Sequence, residues 1–169
     1  MESSEKISRI VVGVDGSEAA TEALAWAIRL ARPSDAEIIP VFALAPPTYA
    51  EYAGMALLAP LAWDPKVKAE LEAAFKDTWC RPLAEAAIPY RPIFSEGRPA
   101  TVIAEVAVAV GADLVVVGRR GRGAVAELLL GSVSHELAHH CSIPVVLVSQ
   151  QAPAGKAAAA SQAKEEARC

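Results

Sequence analysis

The stretch Gly118-Arg119-Arg120-Gly121-Arg122-Gly123-Ala124-Val125-Ala126-Glu127-Leu128-Leu129-Leu130-Gly131-Ser132 follows an apolar run, Asp113-Leu114-Val115-Val116-Val117. It leads into Val133-Ser134-His135-Glu136-Leu137-Ala138-His139-His140. The first run, rich in β-branched residues, reads as a strand buried on both faces, and the last reads as a helix. A glycine-punctuated, arginine-bearing loop thus joins a buried strand to a helix N-terminus. Such a junction suits an anion, because glycines let backbone amides approach closely and first-turn N–H groups carry the positive end of the helix dipole. The expected donors are the N–H groups around Gly118, Gly121, Gly131, Ser132, Val133 and Ser134, helped by the Ser132 hydroxyl, with Arg120 pointing inward.

On either side of this junction the chain alternates. Ile7 to Val14 is the first expected strand, ending at Asp15-Gly16, and Ser17 is placed to cap the next helix. In that helix Ala20, Leu24, Ala27, Ile28 and Ala31 repeat along one face, and Pro33 closes it. Ala36 to Leu44 is the second strand, where Pro40 predicts irregular or one-sided pairing. Ala45 to Trp63 mixes prolines with large apolar residues, as a lid, a partner surface or a loop packed on the sheet would.

Asp64-Pro65 opens a second helix with Val67, Leu71, Ala74, Phe75 and Trp79 as its stripe, which Pro82 should kink or end. Tyr90 to Ser95 is a short third strand. Val102, Ile103, Val106, Ala107 and Val110 mark a third amphipathic helix stopped by Gly111, and Pro144 to Val148 is the last strand. Beyond Gln150 an alanine-, lysine- and glutamate-rich tail is expected to stay disordered or weakly helical. The organisation expected is an N-terminal extension over 1–6, one domain over 7–149 and a tail over 150–169. Strictly alternating strands and helices imply an α/β fold with a parallel sheet covered on both faces. Ligands bind such sheets outside the carboxyl ends of the strands, where the strand order switches direction. Asp15 and Gly118 end two of those strands.

The 169 residues are 53% hydrophobic and 21% charged, with a net charge of −4. That balance argues against a nucleic-acid binder, whose faces are basic. Met1-Glu2-Ser3-Ser4-Glu5-Lys6 is too polar for a secretory signal, and no apolar run is long enough to span a membrane. Cys80, Cys141 and Cys169 have no metal-ligand spacing and read as reduced thiols, so the expected location is cytoplasmic.

Two motif matches are rejected. Gly121-Arg122-Gly123-Ala124-Val125-Ala126 fits a relaxed dinucleotide fingerprint, but it does not follow the first strand and no acid ends the next one. His135-Glu136-Leu137-Ala138-His139 spells the zinc-peptidase H-E-x-x-H. Here Val133, Leu137 and Cys141 mark the buried face, which puts both histidines on the solvent side, and no third ligand is apparent unless Glu165 or Glu166 supplied one. His140, nearer the apolar edge, is expected to pack or to cap the helix end. No metal set is assigned, no P-loop is present, and no general base stands out near the loop.

The spacing G-x-x-G-(nine residues)-G-S, at Gly118, Gly121 and Gly131-Ser132, resembles the nucleotide motif of the universal stress protein family. Val11-Val12-Gly13-Val14-Asp15-Gly16-Ser17 is similar to that family's opening strand, and Ser142-Ile143-Pro144-Val145 to its closing one. The resemblance implies a five-stranded parallel sheet in the order 3-2-1-4-5, Rossmann-like, paired as a homodimer through the last strand. It also implies the branch that binds ATP, with or without magnesium, and AMP or cyclic AMP as alternatives. By that resemblance Gly13, Val14 and Asp15 line the base and ribose, and Val41 contacts adenine. Val117, Gly118, Arg120, Gly121 and Gly131 to Ser134 hold ribose and phosphates. Many members have histidine where Pro40 stands. The function implied is a nucleotide-dependent regulatory or stress-response module. The alternatives are a slow ATPase or phosphotransfer enzyme using the same loop, and a structural dimer with a vestigial pocket.

Overall fold

The computed structural model describes residues 6–45, 64–121 and 130–149. Its order is β1 (Arg9–Gly13), α1 (Glu18–Ala31), β2 (Glu37–Leu44), α2 (Pro65–Ala73), α3 (Arg81–Glu85), β3 (Ile93–Glu96), α4 (Pro99–Val110), β4 (Leu114–Gly118), α5 (Ser132–His140) and β5 (Val145–Val148). The five strands form one sheet in the order β3-β2-β1-β4-β5, and each neighbouring pair is parallel. The 46–63 segment, the dinucleotide-like match beyond Gly121 and the tail beyond Ser149 lie outside the described residues.

Successive strand residues feed two cores, as the twofold period of a strand requires. Ile10, Val12, Ile38, Phe42, Leu114 and Val116 face one side, where Leu24, Ala27 and Ile28 of α1 and Phe75, Cys80 and Leu83 pack on them. Val11, Ile39, Val41, Val115 and Val117 face the other, against Ala100, Ile103 and Ala107 of α4 and Leu137 of α5. Both faces are therefore covered. This is why β1 and β4 read as continuous apolar runs rather than alternating ones.

Local signals act where they were expected. Ser17 Oγ accepts the Ala20 N–H at 3.2 Å and starts α1. Ala20, Leu24, Ala27, Ile28 and Ala31 are all buried. Gly111, at φ 61°, ends α4 in the left-handed conformation that glycine adopts without strain. At the amino end of the sheet the Asp113 carboxylate accepts N–H bonds from Ser8 at 2.7 Å and Arg9 at 2.9 Å, tying β1 to β4.

The irregularity expected at Pro40 falls on its β3 side. Ile38 bonds through both backbone groups to the chain around Tyr90, and regular β2–β3 pairing resumes only at Val41. Pro40, two residues on from Ile38, turns its nitrogen toward the same side and cannot donate there. The third strand consequently begins at Ile93, not Tyr90, which keeps an isolated bridge.

The 65–85 segment is interrupted next to Pro82 as expected, but its stripe is not buried as a whole. Of its five stripe residues only Phe75 is fully buried. The chain widens into a π-helical turn at Ala74–Trp79 and restarts as α3 beyond Cys80. Pro82 offers no N–H to the preceding turn, and the widened turn, with the Cys80 N–H reaching the Phe75 carbonyl at 3.1 Å, absorbs the break. Phe42, Phe75, Trp79 and Phe94 pack edge-on or tilted at 5.3–6.4 Å and pin this segment to β2 and β3. Burial pushes the Cys80 thiol up to about 12, so it serves as a core residue and not as a nucleophile. Among the described residues no helix is long and apolar enough to cross a membrane.

Candidate functional site

β1 and β4 are neighbours at the centre of the sheet, and the chain leaves them in opposite directions, toward β2–β3 and toward β5. A crevice opens at such a reversal, outside the carboxyl ends of the two strands. Gly13, Val14 and Asp15 stand at the end of β1, Val117 and Gly118 at the end of β4.

The Val14 N–H donates to the Val41 carbonyl at 2.9 Å, so these two expected site residues are joined through the backbone. Their side chains lie in opposite cores, Val14 with α1 and Val41 with α4. Val117 is also buried, with its Cγ1 2.9 Å from where a Cβ on Gly13 would stand. Val117 and Val41 therefore shape the site from beneath rather than presenting polar groups. Asp15 is half-buried, and its Oδ1 accepts the Ser17 N–H at 2.9 Å. Asp15, two residues beyond β1, thus also orients the cap of α1.

The loop after β4 is held by the backbone of Arg119. Its N–H donates to the Val148 carbonyl at 2.7 Å, and its carbonyl accepts from the Gly131 N–H at 2.9 Å and the Ser134 hydroxyl at 2.8 Å. This draws the two ends of the long motif together. Ser134 is buried, and its hydroxyl also lies 2.9 Å from the Gly131 carbonyl. The hydroxyl of Ser134 is thus spent on holding the loop to α5. Arg119 was missed by sequence reasoning, because a backbone role leaves no trace in residue type.

The glycines of the motif serve different ends. None of Gly118, Gly121 and Gly131 has a positive φ, so conformational freedom is not what places a glycine there, and Gly118 and Gly121 lack the room for a Cβ. A Cβ on Gly118 would lie 2.8 Å from the Ala19 backbone, so this glycine lets β4 press against α1. A Cβ on Gly121 would lie 2.7 Å from Asp15 Oδ2. A Cβ on Gly131 would stand 3.4 Å from Arg120 Cα and 3.6 Å from the Gly121 nitrogen. Gly131 therefore seats the helix start on the Arg119–Gly121 turn.

Two donor features occur at this loop. Gly131 caps α5 without a side chain, so no capping oxygen takes up the first-turn N–H groups as Ser17 does for α1. Arg120 Nε is buried without a hydrogen-bond partner among the described residues. A buried, charged donor of that kind is costly unless an acceptor meets it, and an anion would. Ser132 is exposed at the helix start and Val133 half-buried behind it.

His135 and His139 lie exposed on α5, on the solvent side as the spacing predicts. Glu136 pairs with Arg98 at 3.1 Å. His140, though exposed, stands in the last turn of α5 and lines a shallow depression with Ala100, Ala104, Leu137 and Cys141, at the apolar edge as expected.

A family model described as the universal stress protein family matches residues 6–149. A relative from Thermus aquaticus, a universal stress protein, is 34% identical over 140 residues, covering 82% of this chain and 96% of its own. Among solved structures, UspA of Lactobacillus plantarum superposes with a TM-score of 0.70 at 22% identity, over 85% of this chain and 98% of its own. A universal stress protein solved in complex with cAMP superposes with a TM-score of 0.56 at 27% identity, over 85% and 98%. The strand order, the full motif and the extent of the match lead to one conclusion: the chain belongs to the universal stress protein family.

Proposed function

We propose that this protein binds an adenine nucleotide, ATP by preference, in the crevice between β1 and β4, and acts as a nucleotide-dependent regulatory module. The observation that carries this reading is the buried Arg120 Nε, a charged donor without a partner among the described residues, beside a helix start that no side chain caps. Support comes also from the cAMP complex of a 27% identical relative. In this reading Gly13, Val14 and Asp15 receive the base and ribose, with the Asp15 carboxylate as acceptor for a hydroxyl or amino group, and Val41 lies under the adenine. Val117, Gly118, Arg120, Gly121 and the Gly131–Ser134 amides hold the ribose and phosphates, where magnesium accompanies ATP.

The site binds without efficient turnover. Asp15, the acid adjoining the Gly121 end of the loop, already commits one oxygen to the Ser17 N–H. Nucleotide occupancy changes behaviour only through different affinities for two states of the protein or its partner complexes. The proposed homodimer face is the open edge of β5, whose four apolar residues are all half-buried and paired on one side only, with β4.

The experiment is mass spectrometry of small molecules released from the purified protein, followed by incubation with ATP and magnesium. Released adenine nucleotide with no appreciable turnover supports the reading. Rapid turnover makes the protein an ATPase or phosphotransfer enzyme. A protein that neither carries nor binds nucleotide has a vestigial pocket.

A further inference from the structure

We propose that His135 and His139 form a surface site for one divalent late first-row transition-metal ion on the outer face of α5. The site is separate from the nucleotide crevice. The two residues are four apart on one helix, and both side chains are exposed. Positions four apart stand one above the other on a helix face, so their side chains meet. The imidazole rings do so here, with centroids 4.6 Å apart and planes inclined at 58°.

The spacing suits a shared ligand. A metal–nitrogen bond of about 2.0–2.1 Å places a ring centroid roughly 3.2 Å from the metal it binds. Two centroids 4.6 Å apart then subtend about 90° at a common ion, a cis angle that octahedral or distorted tetrahedral coordination accepts. Neither imidazole is engaged in a hydrogen bond or ion pair among the described residues, so each offers a nitrogen without breaking a contact. Imidazole favours nickel, copper and zinc over magnesium or calcium.

The same geometry separates this site from a peptidase centre. Glu136, which would be the base in H-E-x-x-H, is turned to Arg98 at 3.1 Å. No cluster of three potential ligands occurs among the described residues, so water completes the shell. His140 is not part of the pair: its ring is 6.3 Å from that of His139. An ion held by positions 135 and 139 bridges one turn of α5 and favours its helical form, raising thermal stability with metal concentration as any native-state ligand does.

The test is calorimetric titration of the full-length, reduced protein with nickel chloride, and thermal melting with and without nickel. Saturable binding of one ion per chain is expected, with a higher melting temperature in its presence. His135→Gln and His139→Gln should each weaken binding about tenfold or more and remove the thermal shift, while His140→Gln leaves both within about twofold. Circular dichroism verifies that each variant folds, as the exposure of all three side chains leads one to expect. Failure of the wild type to bind, or unchanged binding by folded His139→Gln, overturns the proposal. Neither result bears on nucleotide binding, which uses none of these side chains.

Discussion

The Asp15 carboxylate stands where a side chain on Gly121 would have to grow: a Cβ there would lie 2.7 Å from Oδ2. Residues from the ends of two different strands are thereby brought into one site, and the glycine is fixed by its neighbour rather than by its own φ. Gly121→Ala should weaken ATP binding about tenfold, ~1.4 kcal/mol, by displacing the carboxylate. Gly121 is exposed, so folding should be unaffected. In an Asp15→Ala background the second change should cost nothing further, as calorimetry of the four proteins in a double-mutant cycle would reveal. Equal penalties in both backgrounds would mean that the contact does not matter.

Gly118 faces a harder obstacle. Its neighbour at 2.8 Å is the backbone of Ala19, which cannot swing aside as a side chain can. Gly118→Ala should destabilise the fold by about 1–3 kcal/mol, the usual cost of overpacking, as a shift of the urea midpoint. A change within about 0.5 kcal/mol would show that α1 and β4 part easily.

Ser134→Ala removes the hydroxyl shared between the Arg119 and Gly131 carbonyls. Stability should fall by about 0.5–1.5 kcal/mol, the net worth of one hydrogen bond, because each carbonyl keeps a backbone donor, Gly131 N–H on Arg119 and His135 N–H on Gly131. ATP affinity should fall as well, since the same bond holds the loop to α5. Lost stability with intact affinity would mean that the loop keeps its shape through the Gly131 N–H alone.

Much of the fold could be read from residues whose effect is local. Ser17, the α1 face from Ala20 to Ala31, Gly111 and Pro40 all act on their own neighbourhood, and each acts as its type requires. The break at Pro82 is legible too, but the widened turn over 74–79 is not, because Pro82 changes hydrogen bonding a full turn upstream, where the apolar spacing still looks regular. The site was legible as a list of residues but not as a division of labour. Gly118 meets Ala19 and Gly121 meets Asp15 across roughly a hundred residues of chain, and no local pattern encodes such contacts. Arg119 works through its backbone and Ser134 through a buried hydroxyl bonded to the loop.

At the other end of the sheet, the N–H groups of Ser8 and Arg9 hold the Asp113 carboxyl below its ordinary value of 3.8. A lowered folded-state value means that this contribution is fully present above about 3.8 and is lost as pH falls through the folded value. Urea unfolding from neutral pH to below 3.8 should therefore show acid-side destabilisation that Asp113→Asn reduces. Because the group is exposed the effect should be small. Identical pH profiles would assign the acid sensitivity to other carboxylates.

Gly131 bears most directly on the central claim. It sits against Arg120 and Gly121 at ordinary contact distance for a Cβ, so alanine fits, while the branches of valine would force the helix start off the turn. The decisive measurement is calorimetric titration of ATP into wild type, Gly131→Ala and Gly131→Val, with folding verified by circular dichroism. Saturable binding by the first two and none by folded Gly131→Val is the predicted result. Unchanged affinity in folded Gly131→Val, or no binding by the wild type, would contradict a nucleotide site built on this turn.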